Sequence, residues 1–306
     1  MRCNLLKHLT SFLTKSPPRA SLPTLAALLA VMASLATPYS HAIVGGTDVN
    51  AGDVLAKKVV LILGTTQTGG RGYCSGTMID KDIVLTAAHC FETVIKNYYV
   101  IPNINMSPES GYEREKFNIP VTKWVIHEDY NKPDAKVFSD IALLKLERAV
   151  PEEYAPVKLY DGKSEADPFT ILAGFGKTKE TRIDQTYLRF TAKENSEIQI
   201  DYKGQIGTMI MANGQIKGAC EGDSGGPVFY GVNGEFQQVG IISTTVGPDI
   251  MSTCSGLVIA THLPRFLPWI EKNKALLNAQ NKARTSIRDG SAPLHVLPKL
   301  KSSKED

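Results

Sequence analysis

Short apolar or alternating segments rich in Val, Ile, Thr and Tyr follow one another along the chain from Ile43 to about Ile259. Turn-forming residues separate them, for example at Gly69–Gly70 and Asn233–Gly234. Many short strands at this spacing predict a sandwich or barrel rather than alternating strands and helices. The length of the region suits two small barrels that share one core interface. The clearest segments are residues 59–63, 83–88, 98–101, 141–146, 170–174, 198–202, 206–212, 227–230 and 238–244.

One helix is predicted near the end of this region, from about Pro264 onwards. Proline fits the first turn of a helix, and Pro268 restricts where the helix can start. Beyond residue 280 the chain becomes polar, with Pro, Ser and Lys. We therefore predict that residues 273–306 form a basic, flexible extension rather than a third domain. A binding role for this extension is the alternative that its charge suggests.

The N-terminal segment has the parts of an export signal. A long basic stretch precedes an apolar run at residues 25–36, and Ser40 and Ala42 are small residues at the −3 and −1 positions of a cleavage site. The apolar run is too short to cross a bilayer as a resident helix. Residues 1–42 are therefore predicted to be a signal peptide, and the mature chain is predicted to start at Ile43. The alternative is an uncleaved signal anchor.

The composition is that of a globular protein, with 42% hydrophobic and 21% charged residues. The formal net charge is +3, but residues 1–42 contain four basic residues and no acidic residue. Without them the chain has 30 basic and 31 acidic residues, so its charge does not predict nucleic-acid binding. No later stretch approaches eighteen apolar residues, so stable membrane insertion is not expected.

Export changes the interpretation of the cysteines. Cys3 would leave with the signal peptide, and Cys74, Cys90, Cys220 and Cys254 would remain. An even number of cysteines in an exported chain predicts disulfides, and four cysteines allow three connectivities. A zinc site is the alternative, which the absence of any closely spaced cysteine pair disfavours.

Four local sequences carry the candidate chemistry. They are IVGG from Ile43, TAAHC ending at Cys90, DIALLKL from Asp140, and GDSGGP from Gly222 to Pro227. Together, and in this order, they resemble the trypsin/chymotrypsin family of serine peptidases over residues 43–272. The resemblance implies an all-β fold of two six-stranded antiparallel β-barrels, with the active site between them and a C-terminal helix.

The residue types suit nucleophilic catalysis. A serine hydroxyl is a poor nucleophile at neutral pH and needs a base, which histidine can supply when a buried carboxylate orients it. The resemblance assigns Ser224 as the nucleophile, His89 as the general base and Asp140 as the orienting carboxylate. It also assigns the backbone N–H groups of Gly222 and Ser224 to the oxyanion hole. Each residue alone has a structural explanation, and together they leave an inactive homologue as the alternative.

The resemblance further pairs a free amine at Ile43 with Asp223, because a buried ammonium needs a carboxylate partner. Since Ala42 lies at the predicted signal-peptidase site, we expect signal removal itself to free Ile43, without a separate activating cleavage. The resemblance also pairs the cysteines as Cys74–Cys90, the histidine-loop bridge, and Cys220–Cys254, the bridge that frames the specificity pocket.

By the same resemblance, the substrate pocket has Gly218 at its floor, Thr245 at one wall, Gly256 at the other, and Ser243 at its border against the buried Asp. A floor without an acidic residue disfavours cleavage after Lys or Arg, and a β-branched Thr245 should make the mouth shallower. We therefore predict a small to medium, uncharged residue at P1, the residue before the scissile bond, as in elastases. A bulky aromatic P1 residue is the alternative.

The predicted partners are protein or peptide substrates, and the predicted location is extracellular or periplasmic. The implied mechanism needs no cofactor or metal, although Glu109, Glu113 and Glu115 form an acidic stretch that could bind calcium. Two other functions use related scaffolds, a non-catalytic binding protein and an HtrA-type quality-control protease. The complete triad disfavours the first, and Asp223 before the nucleophile disfavours the second.

Overall fold

The computed structural model describes the chain from Ile43 to Arg288 with several gaps. The predicted signal peptide, Glu109, Glu115 and the end of the predicted extension lie outside the described residues. The described residues are 43–92, 97–105, 113, 117–178, 187–194, 198–212, 218–247, 254 and 256–288.

Fifteen strands and one α-helix form the fold of the described residues, together with a few short 3₁₀ turns. Most of the predicted segments coincide with strands. The strands are β1 (Thr47–Asp48), β2 (Val59–Thr65), β3 (Arg71–Asp80), β4 (Ile83–Thr86), β5 (Asn97–Ile101), β6 (Ile119–Ile126), β7 (Ala142–Leu146), β8 (Lys158–Leu159), β9 (Phe169–Gly174), β10 (Arg189–Glu194), β11 (Ile198–Ile200), β12 (Thr208–Ala212), β13 (Pro227–Val232), β14 (Glu235–Val246) and β15 (Leu257–His262), and the helix is α1 (Leu267–Arg288).

The first six long strands close into a barrel in the order β2-β3-β4-β7-β6-β5. Strand β2 is apolar without alternation because both of its faces are buried. Val60 and Ile62 point into the barrel, and Leu61 and Leu63 pack in a second cluster with Phe175 of the other half of the molecule. Since side chains alternate across a strand, one strand thus supplies both the barrel core and the interface between the halves.

The second half is a nine-stranded sheet in the order β1-β10-β9-β13-β14-β15-β12-β11, with β8 pairing in parallel with β14. The predicted all-β, chymotrypsin-like class is confirmed. The prediction of six strands in a second closed barrel differs from the structure, because short edge strands extend the sheet and it does not close among the described residues. Its core contains Ile43, Leu172, Val228 and Ile242.

The predicted C-terminal helix is present and longer than expected. A 3₁₀ turn over Leu263–Phe266 precedes α1, which continues past the predicted boundary at residue 272. Trp269 and Ile270 pack against Ile83 and Leu143 of the first barrel, so the helix is anchored by its N-terminal half. No helix among the described residues is long and apolar enough to span a bilayer.

Candidate active site

Asp140 and His89 meet at the end of the first barrel. His89 lies in a 3₁₀ turn that follows β4, and Asp140 directly precedes the segment that enters β7. The backbone N–H of His89 donates to Asp140 Oδ1 at 2.9 Å, and its Nδ1 lies 2.7 Å from Oδ2. Because an ionised carboxylate only accepts hydrogen bonds, Nδ1 must carry a proton, which leaves Nε2 of neutral His89 as a proton acceptor.

The surroundings of His89 and Asp140 shift the pKa of both side chains. Burial acts to lower the pKa of His89, but the hydrogen bond and charge of Asp140 and the charge of Glu92 outweigh it, so the pKa is raised above 6.5. Burial acts to raise the pKa of Asp140, but its bonds to His89 and Ser243 outweigh it, so the pKa is lowered. The side chain of Asp140 is 5% exposed and that of His89 is 30% exposed, so solvent reaches the imidazole but hardly reaches the carboxylate.

Ser224 and Ser243 complete the cluster from the second half. Ser243 donates a hydrogen bond from Oγ to Asp140 Oδ2 at 2.5 Å, which matches the contact that the resemblance implied. Ser224 Oγ lies 3.3 Å from the carbonyl oxygen of Ser243, to which it donates. Within the described part of the chain this is its one hydrogen bond, so Oγ is not bonded to His89 Nε2 here, although both residues line one cavity. Bonds of this kind often tighten only when substrate binds.

The loop around Ser224 contains two glycines with a positive φ. Gly222 has a φ of 95° and Gly225 a φ of 79°, a backbone region that glycine adopts without strain. A Cβ on Gly225 would also lie 2.0 Å from Thr86 Oγ1. Among the described residues, the N–H groups of Gly222 and Ser224 donate no hydrogen bond, so both are available to an incoming oxyanion.

Ile43 and Asp223 both lie in the interior of the second half. Ile43 is fully buried in the core of the sheet, and Asp223 accepts hydrogen bonds from the backbone N–H groups of Cys220 and Gly176, each at 2.8 Å. Burial raises the pKa of Asp223 to about 7, although these two hydrogen bonds oppose the shift. In the continuous chain the nitrogen of Ile43 is an uncharged amide, so the buried carboxylate has no cation from that residue.

Both predicted disulfides are present, Cys74–Cys90 and Cys220–Cys254. In the described part of the chain, the one cluster with metal-ligand spacing is Cys74, His89 and Cys90. Two of its members are joined in a disulfide, so they cannot act as thiolate ligands. Of the acidic stretch that could bind calcium, the structure describes Glu113, whereas Glu109 and Glu115 lie outside the described residues.

Two cavities of about 240 Å³ each open on either side of Ser224. One runs along the first barrel, past His89 and the Cys74–Cys90 bridge to Tyr73 and Tyr98. The other is framed by residues of the second half and contains Thr245, which was predicted to form a pocket wall. Its lining residues are Cys220, Glu221, Ser224, Ile242, Thr244 and Thr245.

The other predicted pocket residues do not line this second cavity. Gly218 donates its N–H to the carbonyl of Val44 at 2.9 Å. Ser243 is buried, and its hydroxyl donates a hydrogen bond to Asp140. Gly256 has a φ of 95°, and a Cβ there would lie 2.2 Å from the carbonyl oxygen of Val246. Backbone packing therefore explains this glycine. Residues 213–217, which precede Gly218, and residues 248–253 and 255, which precede Gly256, lie outside the described residues.

Three contacts at the site were not anticipated from the sequence. Ser75 Oγ donates a hydrogen bond to the carbonyl of Gly222. Glu92 accepts a hydrogen bond from Tyr130 at 2.6 Å, and its charge helps to raise the pKa of His89. Thr261 Oγ1 donates to the carbonyl of Asp140 at 2.9 Å. Each is a common polar residue whose role depends on a distant partner, so no local spacing could indicate it.

Comparison with known proteins finds similar sequences and a similar fold. The family model described as Trypsin matches residues 43–270. Granzyme E from Mus musculus is 31% identical over 222 residues, which are 68% of this chain and 82% of the relative. Chymotrypsin-like elastase family member 1 from Canis lupus familiaris is 30% identical over 219 residues, 66% of this chain and 82% of the relative. A solved structure described as GrC has a TM-score of 0.61 at 24% identity and covers 76% of this chain and all of its own.

Proposed function

Because the chain belongs to the trypsin family and is a serine endopeptidase, we propose that Ser224, His89 and Asp140 carry out its peptide hydrolysis. The observation that carries this proposal is the double contact of Asp140 with the backbone and the ring of His89. It fixes the tautomer whose free Nε2 can accept a proton, and that ring borders the cavity that also contains Ser224.

The reaction follows from these positions. Ser224 Oγ attacks the scissile carbonyl carbon while its proton passes to His89 Nε2, and the N–H groups of Gly222 and Ser224 stabilise the oxyanion. Protonated His89 then donates to the leaving amine, which departs and leaves an acyl group on Ser224. Water loses a proton to His89 as it attacks the acyl carbon, and the acid product departs as Oγ regains its proton. The negative charge of Asp140 stabilises the imidazolium in both halves of the cycle.

For specificity, we propose a small to medium, uncharged P1 residue bound in the cavity beside Thr245. A volume of about 240 Å³ is small for a ligand pocket, and its threonine and isoleucine side chains carry no charge. The one carboxylate on its lining belongs to Glu221, which is 71% exposed and forms an ion pair with Lys177. Relatives named as elastases support this choice, and an aromatic P1 residue remains the second candidate.

We further propose that the protein is exported and that its active form begins at Ile43. A charged amine at that residue would give the buried carboxylate of Asp223 a cation, and the residues that the structure describes form no ion pair with it in the continuous chain. The raised pKa of Asp223 supports this pairing, because an isolated carboxylate in this environment is held back from ionising.

The test of the catalytic assignment is covalent labelling of the secreted protein with a fluorophosphonate, together with hydrolysis of a peptide library. Ser224→Ala should abolish labelling and lower kcat by a factor on the order of 10⁶. Ser139→Ala is the matched control, because it removes the same group from a buried serine whose hydroxyl has no hydrogen-bond partner among the described residues. A trimmed wild-type protein that neither cuts peptides nor reacts would instead support a non-catalytic binding protein.

A further inference from the structure

Ser75 is a fully buried residue of β3 whose side chain joins the two halves of the molecule behind the nucleophile loop. Its Oγ donates a hydrogen bond to the carbonyl oxygen of Gly222 at 3.0 Å and accepts one from the N–H of Phe175 at 2.9 Å. Its backbone N–H donates to the carbonyl of Ser224 at 2.7 Å, and its own carbonyl accepts from Thr86 Oγ1 at 2.9 Å. Ser75 therefore contacts both residues whose N–H groups face the oxyanion.

The space around this hydroxyl is closed. A Cβ on Gly174 would lie 3.0 Å from Ser75 Oγ, and one on Gly226 would lie 3.1 Å from Ser75 Cβ. A Cβ on Gly225 would lie 2.4 Å from the carbonyl oxygen of Ser75. Because the loop packs this closely, a water molecule has little room to replace the hydroxyl. Removing it would leave the carbonyl of Gly222 and the N–H of Phe175 without their partner.

We propose that Ser75 is a positioning residue that sets the orientation of the oxyanion-hole donor at Gly222. Gly222 lies between two peptide planes, one of which carries its N–H and the other its carbonyl. Glycine at a φ of 95° has no Cβ to restrict rotation of either plane, so the hydrogen bond from Ser75 supplies the restriction. This proposal rests on the proposed function, because it assigns a role within the same oxyanion hole.

The test separates oxyanion stabilisation from substrate binding. A peptide aldehyde forms a tetrahedral adduct with the nucleophile and places an oxyanion in the hole, whereas a peptide substrate in its ground state does not. In Ser75→Ala we expect kcat and the affinity for the aldehyde to fall in parallel, each by about tenfold, with KM changed less than twofold. Ser75→Gly should show the same pattern, and it keeps the test valid if alanine disturbs folding.

The matched control is Thr77→Val on the same strand. Thr77 is also fully buried, but its hydroxyl has no hydrogen-bond partner among the described residues, so its removal should leave kcat and aldehyde affinity unchanged. Thermal unfolding of each variant checks the fold. A merely structural role of Ser75 would lower the unfolding temperature without a selective loss of aldehyde affinity.

The outcomes distinguish the two proposals. If wild type reacts with a fluorophosphonate but both Ser75 variants bind the aldehyde as tightly as wild type does, the role of Ser75 is overturned and the proposed function stands. A loss of substrate affinity equal to the loss of aldehyde affinity would overturn it as well. If trimmed wild type itself captures no probe, the proposed function fails and the role of Ser75 fails with it.

Discussion

The two sides of Ser224 are built differently. On the side of His89, the carboxylate of Asp140 accepts three hydrogen bonds, from the N–H and ring of His89 and from Ser243, and almost no part of it is exposed. On the other side, the cavity is bordered by an exposed Thr244 and a half-buried Thr245.

Because of this difference, we expect the residues that set the reaction rate and the residues that select the substrate to lie on opposite sides of Ser224. A buried carboxylate without its partners is costly, so the triad side accepts few residue types at each position. An exposed pocket wall carries no such cost, and its residues can change while the fold stays intact. We therefore expect substitutions on the triad side to affect rate for every substrate, and substitutions on the cavity side to affect the choice among substrates.

The largest effect expected, beyond loss of the nucleophile, is that of Asp140→Asn. An amide nitrogen facing Nδ1 would reverse the hydrogen bond and place the proton of neutral His89 on Nε2, where it cannot accept one from Ser224. We expect kcat to fall by roughly 10⁴ for all peptide substrates, with little change in KM. Steady-state kinetics on several peptides measures this. Asp129→Asn, which alters an exposed ion pair with Lys132, is the control and should keep full activity. A loss confined to some substrates would contradict the separation of chemistry from selectivity.

The sequence alone predicted the triad side better than the cavity side, because the buried triad side accepts fewer residue types at each position. Glycines at positive φ and a carboxylate next to Ser224 leave a local pattern, GDSGGP, that few other structures require. The cavity depends on where β14, through its pairing with β15, places Thr244 and Thr245, which alternation along a strand does not reveal. Ser75 was missed because its partner, Gly222, is 147 residues away in the sequence. The sheet of the second half, which is open among the described residues, was missed because the two-residue strands β1 and β8 have no hydrophobic pattern of their own.

A protein whose N-terminus retains residues before Ile43 should show the next largest effect. Without a charged amine, Asp223 keeps a raised pKa, and the loop that it supports loses an ion pair. We expect a decrease in kcat on the order of 10² to 10³, as for loss of one oxyanion donor, for all substrates alike. The comparison is between chains that begin at Ile43 and chains extended by one alanine, with both N-termini verified by Edman sequencing. Equal activity of the two forms would refute the pairing of Ile43 with Asp223.

The same pair of proteins gives a pH dependence of stability. Because the pKa of Asp223 in the continuous chain is raised to about 7, its contribution to stability is fully present below pH 3.8 and is lost as the pH rises through about 7. The extended form should therefore lose free energy of unfolding, relative to the trimmed form, between about pH 4 and 7. Urea unfolding at several pH values measures this difference. Asp223→Asn in the extended form should remove it.

Thr245→Gly tests the cavity side and should change selectivity more than rate. Removing the β-branched side chain widens the cavity of about 240 Å³ at its wall, so a larger P1 residue should enter. We expect the ratio of kcat/KM for phenylalanine to that for alanine at P1 to rise by about 10- to 100-fold. The rate constant for fluorophosphonate labelling should change little. Thr68→Gly, on the exposed turn between β2 and β3, is the control. An unchanged P1 ratio would show that another wall limits the pocket.

Glu92→Gln should have the smallest effect, because it removes one negative charge near His89 and keeps all three triad residues. Glutamine can still accept the hydrogen bond from Tyr130, but it removes a negative charge that helps to raise the pKa of His89. Activity requires neutral His89, so kcat/KM should rise with pH through a midpoint above 6.5 in wild type and through a lower midpoint in the variant. The rate on the high-pH plateau should be unchanged, because the proton acceptor is the same.

The control is Glu235→Gln. This substitution removes a carboxylate that is paired with Lys158 and does not affect the pKa of His89, so the midpoint of this variant should equal that of wild type. A midpoint that does not move in Glu92→Gln would mean that solvent screens this charge from the imidazole and that Asp140 alone offsets the effect of burial.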